Sequence, residues 1–228
     1  MTELNPDAYC KALRQFLEPH RNEENATPMK AYMKGRYEFF EIKTTKKRAL
    51  AKEFYQEYGI PEQDELDKYI KARWNEPERE IHHIAQEIAG TDMKKAKPKV
   101  VSLYEYMITH NSWWDTVDYI SIWLAGRLFM SHPEMIEEYT EKWMASGNFW
   151  LQRCALLFQR DFKENTDEKL LFDLCTRLAG KKEFFIRKAI GWILREYSKT
   201  NPKAIEDFVN KTALSPLSKK EALRRIKK

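Results

Sequence analysis

The chain has 228 residues, of which 33% are charged and 13% aromatic, and only 7 are glycine. A disordered chain can carry that much charge but lacks the aromatic residues, and an all-β fold needs more glycine for its turns, so both classes are disfavoured. The formal net charge of +5 permits a polyanionic partner without establishing one.

The cysteines and the hydropathy pattern bear on the compartment. Cys10, Cys154 and Cys175 are isolated, without CxxC spacing, which is typical of reduced thiols in a cytosolic protein. No apolar run approaches the ~18 residues of a membrane span, and no signal-peptide pattern precedes the first predicted helix. We therefore expect a cytoplasmic protein with no membrane partner.

Apolar residues recur at steps of three and four along almost the whole chain, which predicts helices. The first two starts are marked by a capping residue before proline, at Asn5-Pro6 and Thr27-Pro28. The N-terminal part is predicted to hold three helices, at roughly 5–18, 27–40 and 44–58. Because they do not follow the period of the later helices, we expect them to cap the array.

The rest of the chain repeats. First helices are predicted to open at steps of 37, 35, 34 and 35 residues, at Pro61, Pro98, Pro133, Asp167 and Pro202. Thr166 is the predicted cap before Asp167, where an acid favours the first turn. Second helices follow about 14 residues later, from Asn75, Ser112, Gly147, Lys182 and Pro216. The segment Lys94–Lys99 reads as a basic, solvated linker between two repeats.

A two-helix unit at this period predicts an α-solenoid, and the absence of the tetratricopeptide residue pattern favours HEAT-like repeats. The predicted fold is all-α, a right-handed α-solenoid with N-terminal capping helices and a concave, ligand-binding face. We expect a single domain over 1–228, with capping helices in 1–58 and about five two-helix repeats in 61–228.

Aligning the second helices brings polar residues into register. Their seventh positions hold Ile81, Asp118, Arg153, Lys188 and Ala222. Since neighbouring helices pack roughly 8–10 Å apart, Asp118, Arg153 and Lys188 are predicted to form a ladder on the wall of second helices. Trp114 lies four residues before Asp118 and Trp192 four after Lys188, so both indoles share the faces of the ladder.

This set of residues suggests chemistry at the wall. Arg153 and Lys188 can hold phosphates, and indole faces attract cations and pack on sugars and bases. A carboxylate repels phosphate, so Asp118 is better explained by a transient positive charge, such as the oxocarbenium-like sugar of glycosidic cleavage. The alternative is an internal salt bridge among core tryptophans, and periodicity leaves it open.

Other candidates are weaker. His82 and His83 diverge by about 100° on a helix, so they do not chelate one ion. Lys188 would need desolvation to act as a Schiff-base nucleophile, and its predicted groove is polar. No glycine-rich phosphate loop is present. We expect no metal or other cofactor, and we expect three tryptophans to be core residues: Trp74, Trp143 and Trp150.

Several segments, taken in order, resemble one family. They are PMKAYMKGRYEFF, RWNEPEREIHHIA, SWWDTVDYI, NFWLQRCALLFQ, KEFFIRKAIGWILREYSKTNP and LSPLSKKEALRRIKK. In order and spacing these segments resemble the AlkD-type alkylpurine DNA glycosylases, which are bacterial HEAT-like repeat proteins. The resemblance extends from about Tyr9 to Lys228.

The resemblance implies a monofunctional glycosylase for base excision repair. It would remove cationic alkylated purines, chiefly 3-methyladenine and 7-methylguanine, from duplex DNA without flipping the base into a pocket, unlike most glycosylases. The family's catalytic aspartate falls on Asp118, its sugar-contacting tryptophans on Trp114 and Trp192, its active-site arginine on Arg153, and its tyrosine near DNA on Tyr32.

The chain departs from the family where relatives tend to read Gly-Ile-x-Thr-Pro. Here the sequence is Glu41-Ile42-Lys43-Thr44-Thr45, and DNA contacts by Lys43 and Thr44 are expected in spite of this departure. Further contacts are expected from two residues of the groove, Lys188 and Arg195, in a monomer that binds double-stranded DNA. The rival is a non-catalytic HEAT-like scaffold for nucleic acid or protein partners, which would be expected to lose Asp118.

Overall fold

The structure is a computed structural model that describes residues 4–22, 24, 26–62, 64–91 and 97–226. Lys94 and Lys95 of the predicted basic linker lie outside the described residues. The described chain forms helices and turns without a β-strand, which confirms the all-α class. It divides into two compact units, Met1–Thr91 (unit 1) and Asp92–Lys228 (unit 2). One continuous domain over 1–228 stays a prediction.

Unit 1 is organised around its first helix. Its described α-helices are α1 (Pro6–Leu17), α2 (Ala26–Tyr32), α3 (Thr44–Tyr58), α4 (Leu66–Trp74) and α5 (Arg79–Ala89). The Asn5 side chain caps α1 by accepting from the Ala8 N–H at 2.9 Å. Tyr9 of α1 lies edge-on to Phe54 and Tyr69, with ring centroids 5.1 and 5.3 Å apart, so α1 packs against α3 and α4.

The helix predicted over 27–40 is wrong in its second half. The helix α2 ends at Tyr32, and the backbone then turns through positive φ at Lys34 and Gly35, of 58° and 66°. That left-handed turn breaks the helix, and the following loop runs to Lys43. The third predicted helix, 44–58, is confirmed as α3.

Unit 2 contains the regular repeats. Its described α-helices are α6 (Val101–Thr109), α7 (Trp114–Tyr119), α8 (Gly126–Ser131), α9 (Ile136–Ala145), α10 (Phe149–Leu157), α11 (Glu168–Leu178), α12 (Phe184–Tyr197), α13 (Pro202–Lys211) and α14 (Pro216–Ala222). A π-helical turn, Ile120–Ala125, joins α7 to α8 without a break. The second helices α7, α10 and α12 begin 35 residues apart, which confirms this part of the predicted period.

The first helices of unit 2 begin differently in detail. Pro98 and Pro133 open short 3-10 turns that lead into α6 and α9. The predicted cap at Thr166 is wrong, because the Asp167 side chain itself accepts from the Leu170 N–H at 2.9 Å and caps α11. An aspartate in the extended conformation before a helix competes well for this role.

Burial agrees with the core assignments. Trp74, Trp143 and Trp150 are at most 7% exposed, which confirms them as packing residues. The three cysteines are buried free thiols, and burial raises the pKa of Cys10 and Cys154 to about 12. These thiols are therefore poor nucleophiles at neutral pH. Within the described residues, no helix is both long and apolar enough to cross a bilayer.

Candidate functional site

The second helices of unit 2 lie side by side. The helix α10 packs between α7 and α12, and α12 packs against α14. This is the arrangement that the register predicted, so residues at equivalent positions of these helices lie on adjacent rows. The polar side chains on these rows form the candidate site.

Asp118 and Arg153 are in direct contact across α7 and α10. The Arg153 Nε donates to one Asp118 oxygen at 2.7 Å and its Nη2 donates to the other at 2.9 Å, which is the two-point pairing of a guanidinium with a carboxylate. The Arg153 Nη1 donates to the Phe185 carbonyl of α12 at 2.5 Å. Arginine thus ties together three consecutive second helices.

The two partners differ in exposure. The Arg153 side chain is 4% exposed, whereas that of Asp118 is 16% exposed. Burial raises the pKa of the Asp118 carboxyl, and the charge and hydrogen bonds of Arg153 oppose that rise. A carboxylate can accept at about four lone-pair positions, and Arg153 uses two of them. Asp118 therefore keeps accepting capacity toward solvent while Arg153 fixes its orientation.

The two adjacent tryptophans at the start of α7 have different surroundings. The Trp113 ring packs edge-on against Trp150 and Phe185, with centroids 5.9 and 5.0 Å away, and the residue is half-buried. Trp114 is half-buried at the first position of α7, one turn before Asp118. Both tryptophans are therefore partly accessible, and Trp114 is the one that shares a helical face with Asp118.

Trp192 is also half-buried, on α12. The guanidinium carbon of Arg160 lies 5.7 Å from the centroid of its ring, within the range of a cation–π contact. The sequence predicts Trp192 beside the ladder, and the structure places it one turn beyond Lys188 on the same helix.

Lys188 does not join the Asp118–Arg153 pair. Its Nζ lies 2.9 Å from Glu221 Oε1 of α14, and Arg195 donates to the other Glu221 oxygen. The hydrogen bond from Lys188, helped by the charge of Arg195, holds the pKa of the Glu221 carboxyl below its usual value. Glu221 was missed from sequence, although it is the only acid in the segment PLSKKEALRRI.

Close packing of α12 on α14 makes this cluster possible. A Cβ added at Gly191 would lie 2.5 Å from Glu221 Cβ and 2.9 Å from the Ser218 carbonyl oxygen, so only glycine allows the approach. Gly191 lies between Lys188 and Arg195 on α12, and Glu221 therefore reaches both cations. Lys188 is 40% exposed and ion-paired, so it lacks the desolvated surroundings that a Schiff-base lysine requires.

The expected DNA contacts of unit 1 are surface residues. Tyr32 is 67% exposed at the last position of α2. Lys43 and Thr44 are exposed where α3 begins, with Lys43 at the N-cap position. The first turn of α3 contains no acid, so its N–H groups and these side chains present positive potential to solvent. Despite the departure from the family pattern, both residues remain accessible.

His82, the first of the two adjacent histidines, is hydrogen-bonded within the protein through both ring nitrogens. The Arg79 Nη1 lies 2.9 Å from His82 Nδ1, and His82 Nε2 lies 2.8 Å from the Glu76 carbonyl oxygen. Because arginine can only donate, this network makes Nδ1 the acceptor and Nε2–H the donor. Both ring nitrogens of His82 are thus occupied by protein groups. Among the described residues, no group of three or more potential ligands is placed to hold a metal ion.

Comparison with known proteins identifies a family whose model matches most of the chain. The family model described as DNA alkylation repair enzyme matches residues 13–226. A solved structure described as a predicted DNA alkylation repair enzyme from Enterococcus faecalis has 32% sequence identity and a TM-score of 0.84, and the match covers 91% of this chain and 97% of that one. A search among curated proteins gave no match.

Proposed function

The chain belongs to the DNA alkylation repair enzyme family, and we propose that it is a DNA glycosylase for cationic alkylated purines. Membership supports a role in the repair of alkylated DNA. The finer proposal is hydrolysis of the N-glycosidic bond of 3-methyladenine and 7-methylguanine in duplex DNA, without base flipping, in the bacterial cytoplasm. The observation that carries it is the oriented, partly exposed carboxylate of Asp118.

Asp118 suits a reaction that develops positive charge on a sugar. When the glycosidic bond breaks, its electron pair moves onto the purine and neutralises the alkylated base, while positive charge develops on the deoxyribose. A carboxylate within about 4 Å stabilises that charge, and water then adds at the sugar carbon and loses a proton. Asp118 can accept a hydrogen bond from this water with the lone pairs that Arg153 does not use.

Arg153 is better suited to positioning than to binding phosphate. The sequence predicts that it grips the DNA backbone, but its side chain is 4% exposed and each of its nitrogens donates to protein. We propose instead that it holds the Asp118 carboxylate in its reactive orientation. The phosphate contact stays a prediction that this geometry does not favour.

The remaining residues are proposed to bind the substrate. Trp114 and Trp192 would pack against the deoxyribose, because both residues are only half-buried. Trp114 lies one turn before Asp118 on α7, and Trp192 lies on α12. The DNA backbone would be bound by a monomer through Tyr32, Lys43, Thr44, Lys188 and Arg195. No metal or redox group is required, since a cationic purine leaves as a neutral base.

A single-turnover assay on duplexes that carry one lesion each tests the proposal. We expect release of 3-methyladenine and 7-methylguanine, and little or no release of uracil or hypoxanthine. Those neutral bases need a proton when they leave, and no side chain of the Asp118–Arg153 pair is an obvious general acid. Comparable rates for uracil and 7-methylguanine would contradict the electrostatic account. Binding of duplex without release of any base would favour the scaffold function.

A further inference from the structure

Arg160 occupies the row next to the predicted ladder. It lies in the 3-10 turn Phe158–Asp161 that continues α10, seven residues after Arg153. Its equivalent in the next repeat is Arg195, seven residues after Lys188. Arg160 and Arg195 therefore form another row of basic residues, two helical turns beyond Arg153 and Lys188.

The contacts of Arg160 differ from those of the other three bases. Arg153, Lys188 and Arg195 each have a carboxylate oxygen within 2.9 Å. The ion pair of Arg160 with Asp161 is 3.8 Å long, and its Nε is buried without a hydrogen-bond partner in the described part of the chain. Its side chain is 26% exposed, and its guanidinium lies over Trp192.

The Arg160 side chain is partly exposed and has no carboxylate oxygen closer than 3.8 Å in the described part of the chain, so its terminal nitrogens keep donor capacity for a ligand. A guanidinium within cation–π range of an aromatic ring, with its charge only weakly neutralised, is suited to a planar two-point contact with a phosphate. At this position the anion would lie beside Trp192. Resting on the proposed function, we infer that Arg160 binds the phosphodiester next to the nucleotide whose sugar Trp192 contacts.

The test is the salt dependence of binding to unmodified duplex DNA. Each phosphate that a protein neutralises contributes about 0.9 to the slope of log affinity against log salt. We expect Arg160→Gln to lower this slope by about 0.9, and Arg160→Lys to keep it, because lysine retains the charge without the fork. Both substitutions leave a side chain to cover Trp192, which protects the fold.

Arg177 supplies the control for net charge. It lies on α11 and donates to Glu141 at 2.9 Å and to Asp173 at 3.2 Å. Arg177→Gln removes one positive charge, as Arg160→Gln does, and we expect it to leave the slope near the wild-type value. An equal fall in the two variants, or equal slopes for Arg160→Gln and Arg160→Lys, would overturn the assignment.

The result is separable from the proposed function because the ligand carries no lesion. If Arg160→Gln keeps the wild-type slope while the wild-type enzyme releases 7-methylguanine, only the Arg160 contact is wrong. If the slope falls as expected and no base is released from alkylated duplex by the wild-type protein, Arg160 still binds DNA and the glycosylase proposal fails.

Discussion

Glu80 of unit 1 and Asp118 of unit 2 are both helical acids, and their carboxyls are satisfied in different ways. Glu80 of α5 in unit 1 is 1% exposed and accepts from the backbone N–H groups of Phe40, Glu41 and Ile42, at 3.2, 2.8 and 3.1 Å. Asp118 in unit 2 is bound by the Arg153 side chain and keeps contact with solvent. Burial raises the pKa of both carboxyls.

The difference indicates what each acid is for. Backbone donors hold Glu80 inside the protein, where it fixes the loop before α3 and has no route to a ligand. A side-chain donor orients Asp118 at the edge of the packed region, where lone pairs remain for water or a developing cation. Burial and a raised pKa are common to a structural and a proposed catalytic acid, so the partner and the exposure discriminate between them.

The largest effect is expected from Asp118→Asn. A unit charge about 4 Å from the forming cation, at an effective dielectric near 20, contributes about 4 kcal/mol. Its loss should slow single-turnover excision of 7-methylguanine roughly a thousandfold. The amide has nearly the same shape, so the fold and duplex binding should persist.

Asp115→Asn is the matched control, since it makes the same change one turn earlier on α7. It should excise at close to the wild-type rate. Near wild-type excision by Asp118→Asn, or equal losses in the two variants, would remove Asp118 from the mechanism.

Glu80→Ala should act on stability instead. It leaves three buried N–H groups without their acceptor, which we expect to cost about 3 kcal/mol in the free energy of unfolding, after partial rehydration. Thermal denaturation should show a Tm lower by roughly 6–12 °C. Excision by the folded enzyme at low temperature should be nearly unchanged.

Glu80→Gln separates the hydrogen bonds from the charge. It keeps an oxygen acceptor for the Glu41 and Ile42 N–H groups and should recover much of the lost stability. A rate loss in Glu80→Ala as large as that of Asp118→Asn, measured well below its Tm, would argue that the two acids do not differ in the way proposed.

The smallest expected change is a shift of the pH–rate profile, which Arg153→Met tests. Excision requires the Asp118 carboxylate, so the rate falls as pH drops through its raised pKa. Arg153 opposes that rise, and its removal should raise the pKa of Asp118 further and move the acid limb of the pH–rate profile to higher pH.

Arg153→Met should also change the pH dependence of stability, because proton binding and folding are thermodynamically linked. A carboxyl whose pKa is higher in the folded state than in the unfolded state binds its proton more tightly when folded. It therefore destabilises the fold at high pH and ceases to do so as pH falls through the folded pKa. Arg153→Met should strengthen this pH dependence of unfolding by urea. An acid limb that does not move, in a folded variant, would exclude Arg153 as the residue that tunes Asp118.

Sequence patterns predicted which residues form the candidate site, but they did not predict the contacts between those residues. The period of about 35 residues placed Asp118, Arg153 and Lys188 at equivalent positions, because each repeat presents the same helix face to its neighbours. It did not reveal that each nitrogen of Arg153 donates to a protein acceptor or that Lys188 pairs with Glu221. Those pairings depend on how far each side chain reaches between α7, α10, α12 and α14. The repeat period gives only the position of a residue on its own helix.

The sequence by itself determined the all-α class, the starts of α1, α3 and α13, and the family, because capping residues, apolar spacing and motif order are local properties. Tertiary structure decided that α2 ends at Tyr32, since the loop that follows gains its stability from the distant Glu80. It also decided which carboxylate faces solvent and which arginine lies over Trp192. Such outcomes depend on groups far apart in the chain, and only packing brings them together.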